Sequence, residues 1–303
     1  MKVLISGASG MLGSGLSTTL RSQGHHVVRL VRRAADSPAE ISWDPARGVL
    51  DPTALKGFDA VVNLSGAPLI QLPRRWTRSF IEELYASRIG PTRTLATAIA
   101  SADEPPKVLL NQSGAGYYGE HPQGELDESG PLGQGILADL CAHWEEATAA
   151  AEETARVVRM RTGVVFGIGG GALAKLLLPL RLGLGGRLGN GEQIWPWISQ
   201  LDLTAAMIHL LENPLSGPVN LVAPENASLN QIVTELARAL HRPHAFPVPA
   251  FLLELGLGKK AADEVLLTST RTRPAALLGS GFSFVHPEVA GAADWIASQL
   301  KEK

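Results

Sequence analysis

The sequence predicts an α/β fold, a doubly wound parallel sheet with a smaller mixed C-terminal lobe. Three observations lead there. Short β-branched runs alternate with helical patterns through the first half of the chain, the order of βαβ units. A glycine-rich turn, Gly7-Ala8-Ser9-Gly10-Met11-Leu12-Gly13, lies between the first run and the first helical pattern. Beyond about residue 168, glycine-rich stretches, short strand candidates and helices mix without that alternation.

Val3–Ser6 reads as the first strand. Met11 to Arg21 carries Leu12, Leu16 and Leu20 at a spacing of four, one apolar helical face. Val27–Val31 and Ala60–Leu64 are strands, with a short one at Ile41–Trp43. Arg78 to Ala100 reads as a long helix, in which Pro91 predicts a kink or break. Val108–Gln112 is a strand, Leu137 to Glu153 a helix and Arg156–Arg161 a strand; the alanine-rich Ala147 to Ala155 suits the helix. In the second lobe Ile194–Ile198 and Val219–Val222 are strand candidates, and Leu203–Leu211, Leu229–Leu240 and Ala261–Thr268 are helices. The expected division is a sheet domain over 1–167, with some later segments returning to it, and a substrate-side lobe over 168–303.

Composition excludes several classes. The 303 residues are 45% hydrophobic and 18% charged, which is globular usage. A net charge of −2 leaves no strong basic field for nucleic acid or an anionic membrane, and 5% aromatics argue against a base-stacking surface. Cys141 is the single cysteine, so neither a disulfide framework nor a multi-cysteine zinc site is expected, and the eight histidines form no HExxH. No signal-peptide core or 18-residue apolar run is visible, so the expected setting is cytoplasmic. The expected partner is a small-molecule substrate, with no nucleic acid and no membrane; a homodimer is left open.

The glycine turn has a physical reading. Gly7 permits the tight turn, Gly10 lets backbone N–H groups approach a pyrophosphate at the helix N-terminus, and Gly13 lets the helix lie close to the sheet. This predicts a Rossmann-type dinucleotide site. The second strand ends in Val31-Arg32-Arg33, where an acid would hold a ribose 2′-OH and a cation suits a 2′-phosphate. The cofactor predicted is therefore NADP, held in part by Arg32 and Arg33.

The glycine turn, the strand Asp59 to Gly66 and the segment from Ser113 to Tyr117-Tyr118-Gly119 resemble the extended short-chain dehydrogenase/reductase superfamily. More narrowly, the chain resembles its atypical NAD(P)-dependent epimerase/dehydratase-like group, through Ser87-Arg88-Ile89, Trp144-Glu145, Arg161 to Val165, the glycine run from Leu182 to Gly186, Trp197-Ile198 and Asp202-Leu203. The resemblance covers essentially the whole chain. It implies that Gly10, Met11 and Leu12 meet the pyrophosphate and Arg32 the 2′-phosphate. It also implies that Leu64 and Ser65 contact the adenosine side, and that Glu83, Arg88 and Val165 complete the nucleotide site.

The resemblance breaks at the catalytic helix. The superfamily carries a Tyr-x-x-x-Lys dyad for acid–base work. Aligned on Trp144-Glu145, those positions are Leu137 and Cys141, and Ser199 stands where the group often has histidine. The remaining candidates for catalysis are Ser113, Tyr117 and Tyr118, with a tyrosine pKa depressed by Arg88 as one route. Trp195-Pro196-Trp197 beside the Gly183–Gly191 loop offers a ligand platform or a core element, and that loop is the expected moving part. Two readings stay open: an NADP(H)-dependent oxidoreductase-like or epimerase-like enzyme, and an inert cofactor-binding sensor.

Overall fold

β1 (Lys2–Ser6) buries Val3, Leu4 and Ile5 completely, because both faces of a central parallel strand are covered. The computed structural model describes residues 1–301. From β1 the chain runs through α1 (Met11–Ser22), β2 (His26–Val31), β3 (Glu40–Ser42), β4 (Ala60–Asn63), α2 (Arg78–Ala100) and β5 (Val108–Gly114). It continues through β6 (His121–Leu126), α3 (Ile136–Glu146), β7 (Arg156–Thr162), β8 (Val164–Phe166) and α4 (Gly171–Arg181). Then come β9 (Ile194–Trp195), β10 (Trp197–Ser199), α5 (Gln200–Glu212) and β11 (Gly217–Leu221). The tail holds β12 (Ala227–Ser228), α6 (Leu229–Ala239), α7 (Ala250–Leu257), α8 (Lys259–Ala262), β13 (Thr270–Thr272), α9 (Ala275–Gly279) and α10 (Val289–Lys301).

Seven strands form one parallel sheet in the order β11-β7-β5-β4-β1-β2-β3. Successive side chains alternate faces, so two apolar layers flank it. Ile5, Leu110 and Met160 pack with Leu16 of α1 and Leu203 of α5. Leu4, Leu109 and Val157 pack with Leu95 and Ile99 of α2 on the other side. The order reverses beside β1, which is the switch point where this architecture binds ligands at the carboxyl ends of its strands.

Several local expectations change in the folded chain. α2 is one continuous helix through Pro91; buried Leu84 before it and Leu95 and Ile99 after it offset the lost backbone bond. α3 ends at Glu146, and the alanine-rich stretch supplies only a 3-10 turn, Ala149–Ala151. The 261–268 segment holds the last two residues of the four-residue α8 and then a π turn at Asp263–Leu267. The strand expected at Val219–Val222 is β11, an edge of the main sheet.

The lobe around α6 and α10 has its own core, built on Phe166, Leu229, Ile232, Leu236 and Ile296. Trp195 and Trp197 belong to it. Both are buried, their Nε1 groups donate to the carbonyls of Leu266 and Glu225, and Trp197 stacks on Phe166. They are core residues and do not form a platform. The Gly183–Gly191 loop is tied down too. Phe246 N donates to Gly185 O, Val248 N to Arg187 O and Gly189 N to Val248 O, while a Cβ at Gly186 would lie 2.2 Å from Phe246 O. Its glycines serve close backbone approach more than motion.

Candidate functional site

The turn after β1 is shaped by contacts that only glycine allows. Gly7 has φ +67°, and a Cβ there would meet Leu64 O at 2.5 Å. A Cβ at Gly13 would meet Gly7 O at 2.4 Å, so the helix sits directly on the turn. Gly10 caps α1 with no side-chain acceptor. The first-turn N–H groups of α1, at Met11, Leu12 and Gly13, therefore keep their hydrogen-bonding capacity for an anion. A bare helix start beside a backbone cradle fits a dinucleotide pyrophosphate.

Next to it, at the end of β4, Leu64 N donates to Ser6 O, Ser65 N to Asn63 Oδ1, and Ser65 Oγ to Ser6 Oγ at 2.9 Å. Below them Asn63 bonds Thr92 and Asn111, and Trp144 Nε1 donates to Thr92 Oγ1. This buried polar ladder locks α2 and α3 against the strand ends. Val165 is half-buried in β8, paired with Ile198.

The structure separates the two arginines after β2. Arg33 donates to both carboxylate oxygens of Glu40 at 2.8 Å, and Arg29 reaches the same carboxylate at 2.7 Å. The hydrogen bonds from Arg33, with a smaller one from Asp36 N–H, hold the Glu40 carboxyl down at about 2. Arg33 is thus committed within the fold, whereas among the described residues Arg32 has no ion-pair partner and is exposed. Glu83 likewise faces outward and pairs with Arg74.

Arg88 is buried with no carboxylate partner among the described residues. Its Nη groups donate to Leu84 O, Ala67 O and Ser87 Oγ, and it lies 5.1 Å over Trp144. Burial lowers its pKa to about 10. It stands beside Gly66, where a Cβ would lie 3.3 Å from its Cζ. It does not touch the tyrosines; Arg161 does.

Arg161 was not singled out for a role by the sequence reading, yet it organises this end of the sheet. It grips Glu145 bidentately, with Nε to Oε1 at 2.8 Å and Nη2 to Oε2 at 2.9 Å. Its Nη1 donates to Tyr118 Oη at 3.0 Å, and its Cζ lies 3.4 Å over the Tyr117 ring. Ser113 Oγ donates to Glu145 Oε1 at 2.8 Å, and Tyr118 Oη to Asn220 Oδ1 at 2.7 Å. The one available signal was a guanidinium inside a buried parallel strand, which needs a partner.

The three catalytic candidates are placed differently. Ser113 is buried, with its proton spent on Glu145. Tyr118 is buried, and burial raises its pKa, the reverse of activation, although Arg161 opposes the shift. Tyr117 alone remains half-exposed, its ring edge-to-face with Tyr118. Cys141 is buried and its thiol is pushed up to about 11, mainly by desolvation, so it does not replace an ammonium. Ser199 caps α5 by accepting from Asp202 N; its Oγ also bonds Asp202 Oδ2 and lies 3.0 Å from His286 Nδ1. Asp202 takes the N–H groups of Val285 and His286 as well, so this buried trio ties the tail to α5.

Leu137 lines a cleft of about 440 Å³ with Glu120, Gln134, Asp263, Glu264, Leu267 and Thr268. Glu264 closes one wall by accepting from the N–H groups of Ile136 and Leu137, capping α3. Among the described residues no group of three metal-ligating side chains occurs, and no helix is long and apolar enough to cross a membrane.

A seven-stranded parallel sheet with a glycine cradle at its switch point defines a Rossmann-type dinucleotide-binding protein. The family model described as the NAD dependent epimerase/dehydratase family matches residues 3–223, and a domain of unknown function, DUF1731, matches 248–296. The chain belongs to this epimerase/dehydratase family. It is 42% identical to an epimerase family protein of Mycobacterium tuberculosis, over 96% of this chain and 95% of that one. The crystal structure of human epimerase family protein SDR39U1 with NADPH is similar, with a TM-score of 0.91 at 35% identity over 98% of this chain and 99% of that one. A nucleoside-diphosphate sugar epimerase of Corynebacterium glutamicum superposes with a TM-score of 0.78 at 29% identity, over all of this chain and 61% of that one.

Proposed function

We propose that this chain binds NADP(H) and acts as an oxidoreductase-like or epimerase-like enzyme on a small or sugar-related substrate. The observation that carries the cofactor is the uncapped α1 N-terminus beside Gly7 and Gly10, with Arg32 unpaired at the end of β2. The human relative bound to NADPH supports it. Met11 and Leu12 would meet the pyrophosphate and Arg32 the 2′-phosphate, with Leu64, Ser65, Arg88 and Val165 around the rest. Residues 1–167 would hold the cofactor and 168–303 the substrate side. When bound, the cofactor supplies hydride chemistry.

The chain's own contribution is positioning. Arg161, Glu145, Ser113 and Tyr118 form a rigid buried floor, and Tyr117 is the residue left to exchange a proton with a substrate. The cleft beside Leu137 carries Glu120, Asp263 and Glu264 and no cation, which disfavours a nucleoside diphosphate there. With no dyad, ordinary UDP-sugar 4-epimerisation is expected to be absent or very weak. The inert-sensor reading draws on the same floor, since it removes Ser113 and Tyr118 from chemistry.

Fluorescence titration with NADPH, followed by turnover of ketones, quinones and sugar nucleotides, tests the proposal. NADPH binding with turnover that falls in Tyr117→Phe supports the enzyme. Binding without turnover of any of these substrates favours the sensor, and absence of NADPH binding overturns both.

A further inference from the structure

We propose that this protein docks peripherally on an anionic lipid surface through the face formed by α4, α7 and the loops between them. The proposal does not depend on the enzymatic reading. α7 buries none of its eight residues, although its sequence is Ala-Phe-Leu-Leu-Glu-Leu-Gly-Leu. Phe251 and Leu255 on it, Leu178 on α4, and Leu182, Leu184 and Phe246 in the flanking loops are between 57% and 66% exposed.

Hydrogen bonds, one between backbones and two from side chains to backbone carbonyls, draw these segments together into one face. Phe246 N bonds Gly185 O, which joins the loop after α4 to the one before α7. Lys175 Nζ on α4 donates to Ile70 O, and Arg75 Nη2 donates to Leu255 O on α7, so both helices are tied to the same loop ahead of α2. The six side chains together expose several hundred Å² of apolar surface, on the order of the largest patch on a typical monomer. α4 starts beside Met11, with a Cβ at Gly170 lying 3.6 Å away, so the face borders the candidate cofactor site.

Charge selects the occupant. Residues 171–191 and 241–260 hold six lysines and arginines against one acid, Glu254, in a chain of net charge −2. Among the described residues Arg181, Arg187, Arg242 and Lys260 are exposed and have no ion-pair partner. A second copy docking on this face by two-fold symmetry would bring the basic rim against itself, at a repulsive cost. A bilayer with anionic headgroups accepts the apolar centre at the acyl boundary and the cations at the headgroups. The near-neutral total charge hid this local field.

The test is flotation of the whole chain with phosphatidylcholine vesicles, with and without added phosphatidylglycerol. Wild type is expected to float with the anionic vesicles only and to detach in high salt. The doubles Phe251→Ser/Leu255→Ser and Arg181→Glu/Lys260→Glu should each bind about tenfold more weakly. Their thermal midpoints should match wild type, because all four side chains are exposed. No flotation of wild type overturns the proposal. So does a wild-type dimer in light scattering that Phe251→Ser/Leu255→Ser converts to monomer, which would assign the face to a second copy.

Discussion

Replacing Arg32 with alanine is expected to weaken NADPH and spare NADH, while Arg33→Ala leaves the preference between them unchanged. The two residues are adjacent in sequence and differ in what they touch. Arg33 spends its Nη groups on Glu40 and on Ala34 O, whereas Arg32 makes no ion pair among the described residues. A charge-assisted contact to a phosphate contributes about 1.5–3 kcal/mol, or roughly 10- to 150-fold in Kd. Arg33→Ala instead leaves the inaccessible Glu40 carboxylate with Arg29 as its remaining ion-pair partner, so it should lower the thermal midpoint. The assay is fluorescence titration of both nucleotides against wild type and the two variants, with thermal denaturation in parallel. Equal loss of NADPH and NADH in Arg32→Ala, or a selective loss of NADPH in Arg33→Ala, would refute the reasoning.

Glu145→Ala strands the Arg161 guanidinium and the Ser113 hydroxyl, and breaking such a buried pair is expected to cost about 3–5 kcal/mol in urea unfolding; a loss under ~1 kcal/mol contradicts the assignment. Gly13→Ala places a methyl 2.4 Å from Gly7 O, so the turn must shift and nucleotide affinity should fall at least tenfold in titration, roughly the effect of one lost charge-assisted contact. Cys141, with its thiol raised to about 11, should resist iodoacetamide in the native protein at mildly alkaline pH and react once the chain is unfolded, as read by mass spectrometry. The Glu40 carboxyl sits at about 2, below its ordinary 4.5, so its stabilising contribution is complete above 4.5 and fades as pH falls toward 2. Acid unfolding of Arg33→Ala followed by circular dichroism should accordingly begin at higher pH than in wild type.

What could be read in the sequence was local. Val3 to Gly13 spells a strand, a turn and a helix whose glycines answer to short-range sterics, and the structure places each where that reading requires. The alternation of runs also specified the parallel sheet. Other features depended on neighbours far along the chain. Pro91 does not interrupt α2, because apolar burial on both sides outweighs one missing bond. Trp195 and Trp197 are core because they pack into one cluster with α6 and α10.

The sequence by itself determined the sheet, the phosphate turn and the absence of any Tyr-x-x-x-Lys pair, since each is a matter of residue type and spacing. Only the tertiary structure decided which polar groups are free. Ser113 and Tyr118 look available in sequence, yet Glu145, Arg161 and Asn220 claim them from α3, β7 and β11. Arg33 is likewise taken by Glu40, leaving Arg32. A hydrogen-bond donor or a charge is committed by whatever the fold brings within about 3 Å of it, a distance that composition and periodicity do not encode.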